Sequence, residues 1–124
     1  MVETLKNYIG GEWVESKGDK TLDVVNPATL EVMAKVPLSV KEDVNDVIRA
    51  AKEAFWDWRS TPSLTRSRYL FEYRNLLDEN FERISEIIVK EHGKTLDEAR
   101  GDIKRGIETV ELACGVPSLM MGTI

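Results

Sequence analysis

A second cysteine is missing from this sequence. Cys114 stands alone, so no internal disulfide can staple the chain, and cysteine usage says nothing more about redox compartment. Basic charge is also in short supply: 17 lysines and arginines face 22 aspartates and glutamates, for a net charge of −5. That balance argues against a nucleic-acid partner, because phosphate binding needs a basic face. The basic residues that are present alternate with acids along predicted helices, as on solvated surfaces. Long apolar runs are lacking too, none approaching the ~20 residues that span a bilayer. The opening Met1-Val-Glu-Thr-Leu-Lys6 has neither the basic start nor the apolar stretch of a secretory signal. A cytoplasmic protein is therefore expected. The single histidine, His92, has no cysteine or histidine companion at ligand spacing, so no metal site is expected.

What is present is an ordinary globular composition, 42% hydrophobic and 31% charged. At 124 residues, the chain is one domain's worth and can bury a modest core. Tyr8-Ile-Gly-Gly-Glu-Trp-Val14 carries a hairpin signal. Gly10 and Gly11 can supply the two positive-φ positions of a type I′ turn, which sets Tyr8 opposite Trp13. A loop over residues 16–20 leads to a second strand pair, Leu22 to Val25 and Glu31 to Pro37, around Asn26-Pro27-Ala28-Thr29. Asparagine before proline starts a turn because its side chain bonds the backbone ahead while proline presets φ. Val32, Ala34 and Val36 alternate with Glu31, Met33 and Lys35, the period of a half-buried strand.

From Ser39 the period lengthens. Ser39 and Glu42 fit a capping box. Val40, Val44, Val47, Ala51, Phe55 and Trp58 then form one apolar stripe at helical spacing, which assigns Phe55 and Trp58 to a core and leaves Trp56 off it. Thr61-Pro62-Ser63 opens a second helix with Leu70, Tyr73, Leu76 and Leu77 on its stripe. A third carries Phe81, Ile84, Ile87 and Ile88 and ends at His92-Gly93, where glycine can take a left-handed cap. Thr95 and Glu98 make another capping box. A fourth stripe follows, Leu96, Ala99, Ile103, Ile107, Val110 and Cys114, up to Gly115 and a stop at Pro117. At ~1.5 Å per residue this helix runs roughly 30 Å. Gly101 and Gly106 inside it each cost about 1 kcal/mol relative to alanine, which points to close approach by a neighbouring element.

The expected layout is α/β, two hairpins followed by four amphipathic helices, and it has an unfinished look. The strands have edges to cover, the helices need a surface to sit on, and the close Ser118-Leu-Met-Met-Gly-Thr-Ile124 is apolar. A missing partner sheet explains this more simply than a helical bundle capped by hairpins.

These segments, in order, resemble the aldehyde dehydrogenase superfamily. The matching stretches are Tyr8 to Val14, Val25-Asn-Pro-Ala-Thr29 with Glu31-Val32, and Ala50-Ala51 through Ala54-Phe55 to Trp58. Arg66 and Arg68 before Leu76-Leu77, and Glu91-His-Gly-Lys-Thr95 before Glu98-Ala99, continue the series. The final stretch narrows the resemblance: Arg105 followed by Gly106-Ile-Glu-Thr-Val-Glu-Leu-Ala-Cys-Gly-Val-Pro-Ser-Leu-Met-Met-Gly122 is similar to the methylmalonate-semialdehyde dehydrogenase group, which hands its acyl product to coenzyme A. The resemblance implies that residues 1–124 are the first part of a coenzyme-binding domain, with hairpins and helices flanking a Rossmann-type sheet that lies further along. The catalytic cysteine, the general-base glutamate and the NAD contacts also lie further along in such enzymes. By itself the chain is expected to be inactive, to bind neither NAD nor coenzyme A, and to be poorly soluble or partly molten. The rest of the dehydrogenase and further copies of itself are its implied partners.

Within that frame Cys114 is a tempting nucleophile, but it lies on the apolar stripe, where an unpaired cysteine behaves as a small hydrophobe, and it matches an alanine-like family position. No catalytic residue is therefore expected in this chain. Arg105 is the substrate-binding candidate: the semialdehyde carries a carboxylate, which a guanidinium can grip with two parallel hydrogen bonds, and in the resembling group an arginine at this position is associated with it. The plainer reading of Arg105 is a surface pair with Asp102 or Glu108. Gly10-Gly11 is followed by a strand and so is no phosphate cradle, and Gly93-Lys94-Thr95 reads as a helix boundary. Three accounts remain open: the start of a CoA-acylating semialdehyde dehydrogenase or a related aldehyde dehydrogenase, one half of a split enzyme, or a small interaction module without chemistry.

Overall fold

In the computed structural model, which describes residues 2–122, strands precede helices: β1 (Glu3–Thr4), β2 (Asn7–Ile9), β3 (Glu12–Val14), β4 (Thr21–Val25), β5 (Val32–Pro37), then α1 (Lys41–Ser60), α2 (Ser63–Glu79), α3 (Phe81–His92), α4 (Leu96–Cys114) and α5 (Val116–Leu119). They divide into two units, residues 1–60 and 61–124. The apolar close at 118–124 ends in Thr123 and Ile124, which lie outside the described residues.

In the first unit, Gly10 and Gly11 sit at φ 61° and 90°, as the tight turn requires. Strands β2 and β3 pair antiparallel with Tyr8 opposite Trp13, their rings 5.0 Å apart. The second pair forms as well, β4 antiparallel to β5. The Asn26 side chain accepts from the Ala28 amide at 2.9 Å, the turn-starting bond that an asparagine before proline provides. The sheet is wider than two strands, however. Short β1 adds parallel to the far side of β5, giving the order β1-β5-β4. Paired on both sides, β5 is half-buried over residues 32–35 on both faces, and Val36 is exposed, so its alternation does not sort into an inner and an outer face.

Helix α1 starts one residue later than the capping signal. Ser39 is occupied elsewhere, accepting from the Asn7 side-chain amide at 2.9 Å. Val40 takes the capping position, its carbonyl accepting the first helical bond from Val44. Asp43 does what Glu42 was expected to do, accepting the Val40 amide at 3.0 Å. Asp43 also accepts the Ser16 hydroxyl at 2.7 Å and the Lys17 amide at 3.0 Å, so one buried carboxylate ties the 15–18 loop to the helix start. Gly18 permits this closeness: a Cβ there would lie 2.7 Å from the Leu38 carbonyl oxygen. The expected core stripe of α1 is not a core. Val44, Val47, Phe55 and Trp58 are all exposed, because this unit supplies too little apolar surface for a helix of 20 residues to sit on.

In the second unit α4 is the centre, packed against α2 and α3. Its inner line is the expected one: Ala99, Ile107 and Cys114 are buried, with Ile103 and Val110 half-buried between them. Ser67 on α2 and Ser85 on α3 are buried too. Each hydroxyl donates to a carbonyl of its own helix, Leu64 at 2.9 Å and Phe81 at 2.8 Å, which satisfies the polar atom inside a packed face. On α2 the inward side carries Leu70, Arg74 and Leu77 rather than Tyr73 and Leu76, which are exposed. Gly93 ends α3 at φ 79°, as its sequence position foretold. Two expectations fail here. Pro117 does not stop the chain's helical path but sits in the first turn of α5, where its missing amide costs nothing, so a fifth short helix joins the four. Among the described residues no neighbouring element crowds the helical glycines: nothing lies within 4 Å of a Cβ at Gly106, and only the Arg105 guanidinium approaches one at Gly101.

Candidate functional site

The start of α4 concentrates charge on rigid backbone. The Thr95 hydroxyl accepts the Glu98 amide at 3.3 Å, and the Glu98 carboxylate accepts the Thr95 amide at 3.0 Å, which completes the capping box read from the sequence. The Thr95 amide and hydroxyl, aided by the Lys94 charge, hold the Glu98 carboxyl below the usual carboxylate range. Lys94, in the turn between α3 and α4, folds back over the helix start to donate to Asp102 Oδ2. Asp102 Oδ1 accepts Arg105 Nη2 one turn further on. Two cations thus share one carboxylate. The Lys94 hydrogen bond, then the Lys94 and Arg105 charges, keep the Asp102 carboxyl ionised and below its ordinary range despite partial burial.

Exposure sorts the roles within this cluster. The Lys94 and Asp102 side chains are 22% and 34% exposed, whereas Arg105 is 71% exposed. Its guanidinium lies beside Gly101 at the edge of a shallow depression lined by Lys94, Asp97, Glu98, Gly101, Asp102 and Arg105. The surface pair with Asp102 is present in the structure. Arg105 makes it on its own helix, and it presents a cation to solvent. Sequence spacing revealed the i,i+3 relation of Asp102 to Arg105; the part played by Lys94 was missed, because a lysine outside the helix has no helical register to betray it.

The aldehyde dehydrogenase family model matches residues 13–124. The chain belongs to the aldehyde dehydrogenase family. Among its aldehyde dehydrogenase relatives, malonate-semialdehyde dehydrogenase 2 of Geobacillus kaustophilus is 54% identical over 121 residues, covering 98% of this chain and 25% of that protein. The crystal structure of methylmalonate-semialdehyde dehydrogenase from Oceanimonas doudoroffii superposes with a TM-score of 0.90 at 39% identity, covering 96% of this chain and 24% of that one. A Sinorhizobium meliloti 1021 protein provisionally designated methylmalonate-semialdehyde dehydrogenase, solved with NAD, gives a TM-score of 0.92 at 35% identity over 96% of this chain and 24% of its own. The chain thus spans about a quarter of the length of the relatives it matches.

For an aldehyde dehydrogenase, the placement of the remaining candidates is informative. Cys114 is 6% exposed on the inner line of α4, nine residues and about 13 Å of helix rise beyond Arg105, packed as a small hydrophobe. Gly10 and Gly11 are consumed by a hairpin turn, and Gly93 by a helix end, so the described residues offer no glycine-rich strand-to-helix turn for a dinucleotide pyrophosphate. His92 is an exposed helix-end residue, and among the described residues no three potential ligands gather around a metal-sized space. Nor is any described helix long and apolar enough to cross a membrane. Trp56, 58% exposed beside Phe55 with the Arg59 guanidinium 5.4 Å over its ring, belongs to the uncovered side of α1.

Proposed function

We propose that residues 1–124 form the opening part of the coenzyme-binding domain of a cytoplasmic dehydrogenase that oxidises malonate or methylmalonate semialdehyde. NAD would accept the hydride and coenzyme A the acyl group, on residues that follow these in the relatives. The observation that carries this reading is the 54% identity over 98% of the chain to a malonate-semialdehyde dehydrogenase. The exposed guanidinium of Arg105, free to meet a solvent-borne carboxylate, supports it. In this reading Arg105 grips the carboxylate through its guanidinium donors, and the remainder of the dehydrogenase covers the apolar faces left open here. The complete protein assembles as a homo-oligomer.

The test is a full-length protein in which this chain replaces the first quarter of the Geobacillus kaustophilus relative. NADH formation from malonate semialdehyde and coenzyme A is expected, and no turnover of any aldehyde by the correctly folded protein would overturn the assignment. In the active chimera, Arg105→Leu should raise KM for malonate semialdehyde about tenfold more than KM for propanal, since only the former offers a charge-assisted partner. Equal effects on the two substrates would remove Arg105 from the substrate site while leaving the dehydrogenase reading intact.

A further inference from the structure

We propose that Asp102 and Lys94 are positioning residues for Arg105, setting the charge and direction of the carboxylate grip; this rests on the reading of Arg105 given above. A long, largely exposed arginine has many rotamers, and a grip needs one of them. Asp102 fixes it by accepting a single donor, Nη2, on Oδ1. That bond uses one of the two Nη2 hydrogens, which leaves the other, with Nη1 or Nε beside it, as a two-donor edge for an incoming carboxylate. A lone aspartate beside the arginine would cancel the charge the substrate is to meet. Lys94 prevents that by holding the other oxygen of the same carboxylate, so that the three side chains together keep one surplus positive charge.

The neighbouring acids have partners of their own, and of them the Glu98 carboxylate also feels the Lys94 charge. Glu98 is held by the amide and hydroxyl of Thr95, and Asp97 faces Arg100 at 3.4 Å. Arg100 in turn is held by Glu82 at 2.8 Å. The Lys94–Asp102–Arg105 row is therefore a prearranged anion grip, with an aspartate acting as the hinge pin between two cations. Gly101 belongs to the same device. The guanidinium lies 3.6 Å from the place where a Cβ would stand, an ordinary contact, so only a side chain longer than alanine's would compete with the arginine for that space.

The experiment uses the active full-length chimera with malonate semialdehyde and propanal as paired substrates. Asp102→Asn keeps the shape and removes the charge. It should raise KM for malonate semialdehyde about tenfold relative to propanal with kcat little changed, and Asp102→Glu should recover most of that loss. Lys94→Met should shift the same ratio in the same direction, and it stands outside the helix, so it reads the proposal even where Asp102→Asn impairs folding. Adding Asp102→Asn to Arg105→Leu should cost nothing further, because the two act as one unit. A fall in both substrates alike, a lowered KM for malonate semialdehyde, or additive losses in the double variant would overturn the positioning role. If Arg105→Leu itself shows no selectivity, the carboxylate-grip reading falls instead, and the two failures are told apart.

Discussion

Asp43 accepts three hydrogen bonds from within its own unit, from the Ser16 hydroxyl and the amides of Lys17 and Val40. In that order they hold its carboxyl below the ordinary value of 3.8. A carboxyl lowered on folding means that the unfolded chain binds more protons in acid, so stability rises with pH there. The contribution is fully present above the unfolded value and is lost as pH falls through the folded one. Amide-exchange protection at Lys17, Val40 and Val44 should thus be steady near neutrality and begin to fall only below about pH 4, while Asp43→Asn should show weak protection at both ends. An unchanged acid profile in Asp43→Asn would refute the latch. Asp46, lowered by its hydrogen bond to Lys17, titrates nearby, but that exposed pair contributes little. Ser39 and Glu42 announce a capping box, and nothing in that spacing singles out Asp43 beside them. Its partners lie in a loop some 26 residues back, and no local spacing encodes such a return. Cys114, by contrast, was legible as a packing residue from its stripe alone. Cys114→Ala should cost about 1 kcal/mol, the worth of one buried group, and leave the turnover of the full-length chimera within about twofold. A loss of activity on the scale of a missing nucleophile would refute its assignment to the core.

Helix α4 is the element the sequence described best, because its start and its buried stripe are both local patterns. Thr95, Glu98 and the run from Ala99 to Cys114 all occupy the places their spacing implied. Thr95→Ala removes the side-chain acceptor of the capping box and should lower the stability of the second unit by about 1 kcal/mol, read by thermal unfolding. Gly106 tests a different expectation. Mid-helix glycine implied a close neighbour, yet a Cβ at Gly106 meets nothing within 4 Å. In the 124-residue chain, Gly106→Ala should therefore stabilise α4 by about 1 kcal/mol through helix propensity. Destabilisation in that chain would mean the helix has a covering element that its own residues do not show. The helix end was less legible than its start. A proline was read as a terminator, although proline is equally at home in the first turn of the next helix, and only the downstream bonds of α5 decide between the two.

At the scale of the whole chain the unfinished look of the sequence has a measurable counterpart. Among the described residues, only Ala99, Ile107 and Cys114 are buried and apolar, while Val44, Val47, Phe55 and Trp56 on α1, Leu76 on α2 and Leu112 on α4 are exposed. Two separate globules of half this length would expose about 8,000 Å² between them by the usual scaling, against 9798 Å² here. Amphipathic stripes foretold which residues are apolar-facing but not what they face, because a stripe is the same whether its partner is in this chain or beyond it. The 124-residue chain on its own should accordingly bind a hydrophobic dye strongly, unfold over a broad temperature range and self-associate at micromolar concentration. It should also form no NADH from any aldehyde. Dye binding should fall when the chain is part of the full-length chimera, since the same faces are then covered. A monodisperse monomer with one sharp calorimetric transition and little dye binding would show that these faces need no partner, and would favour a stand-alone module over the opening part of a dehydrogenase.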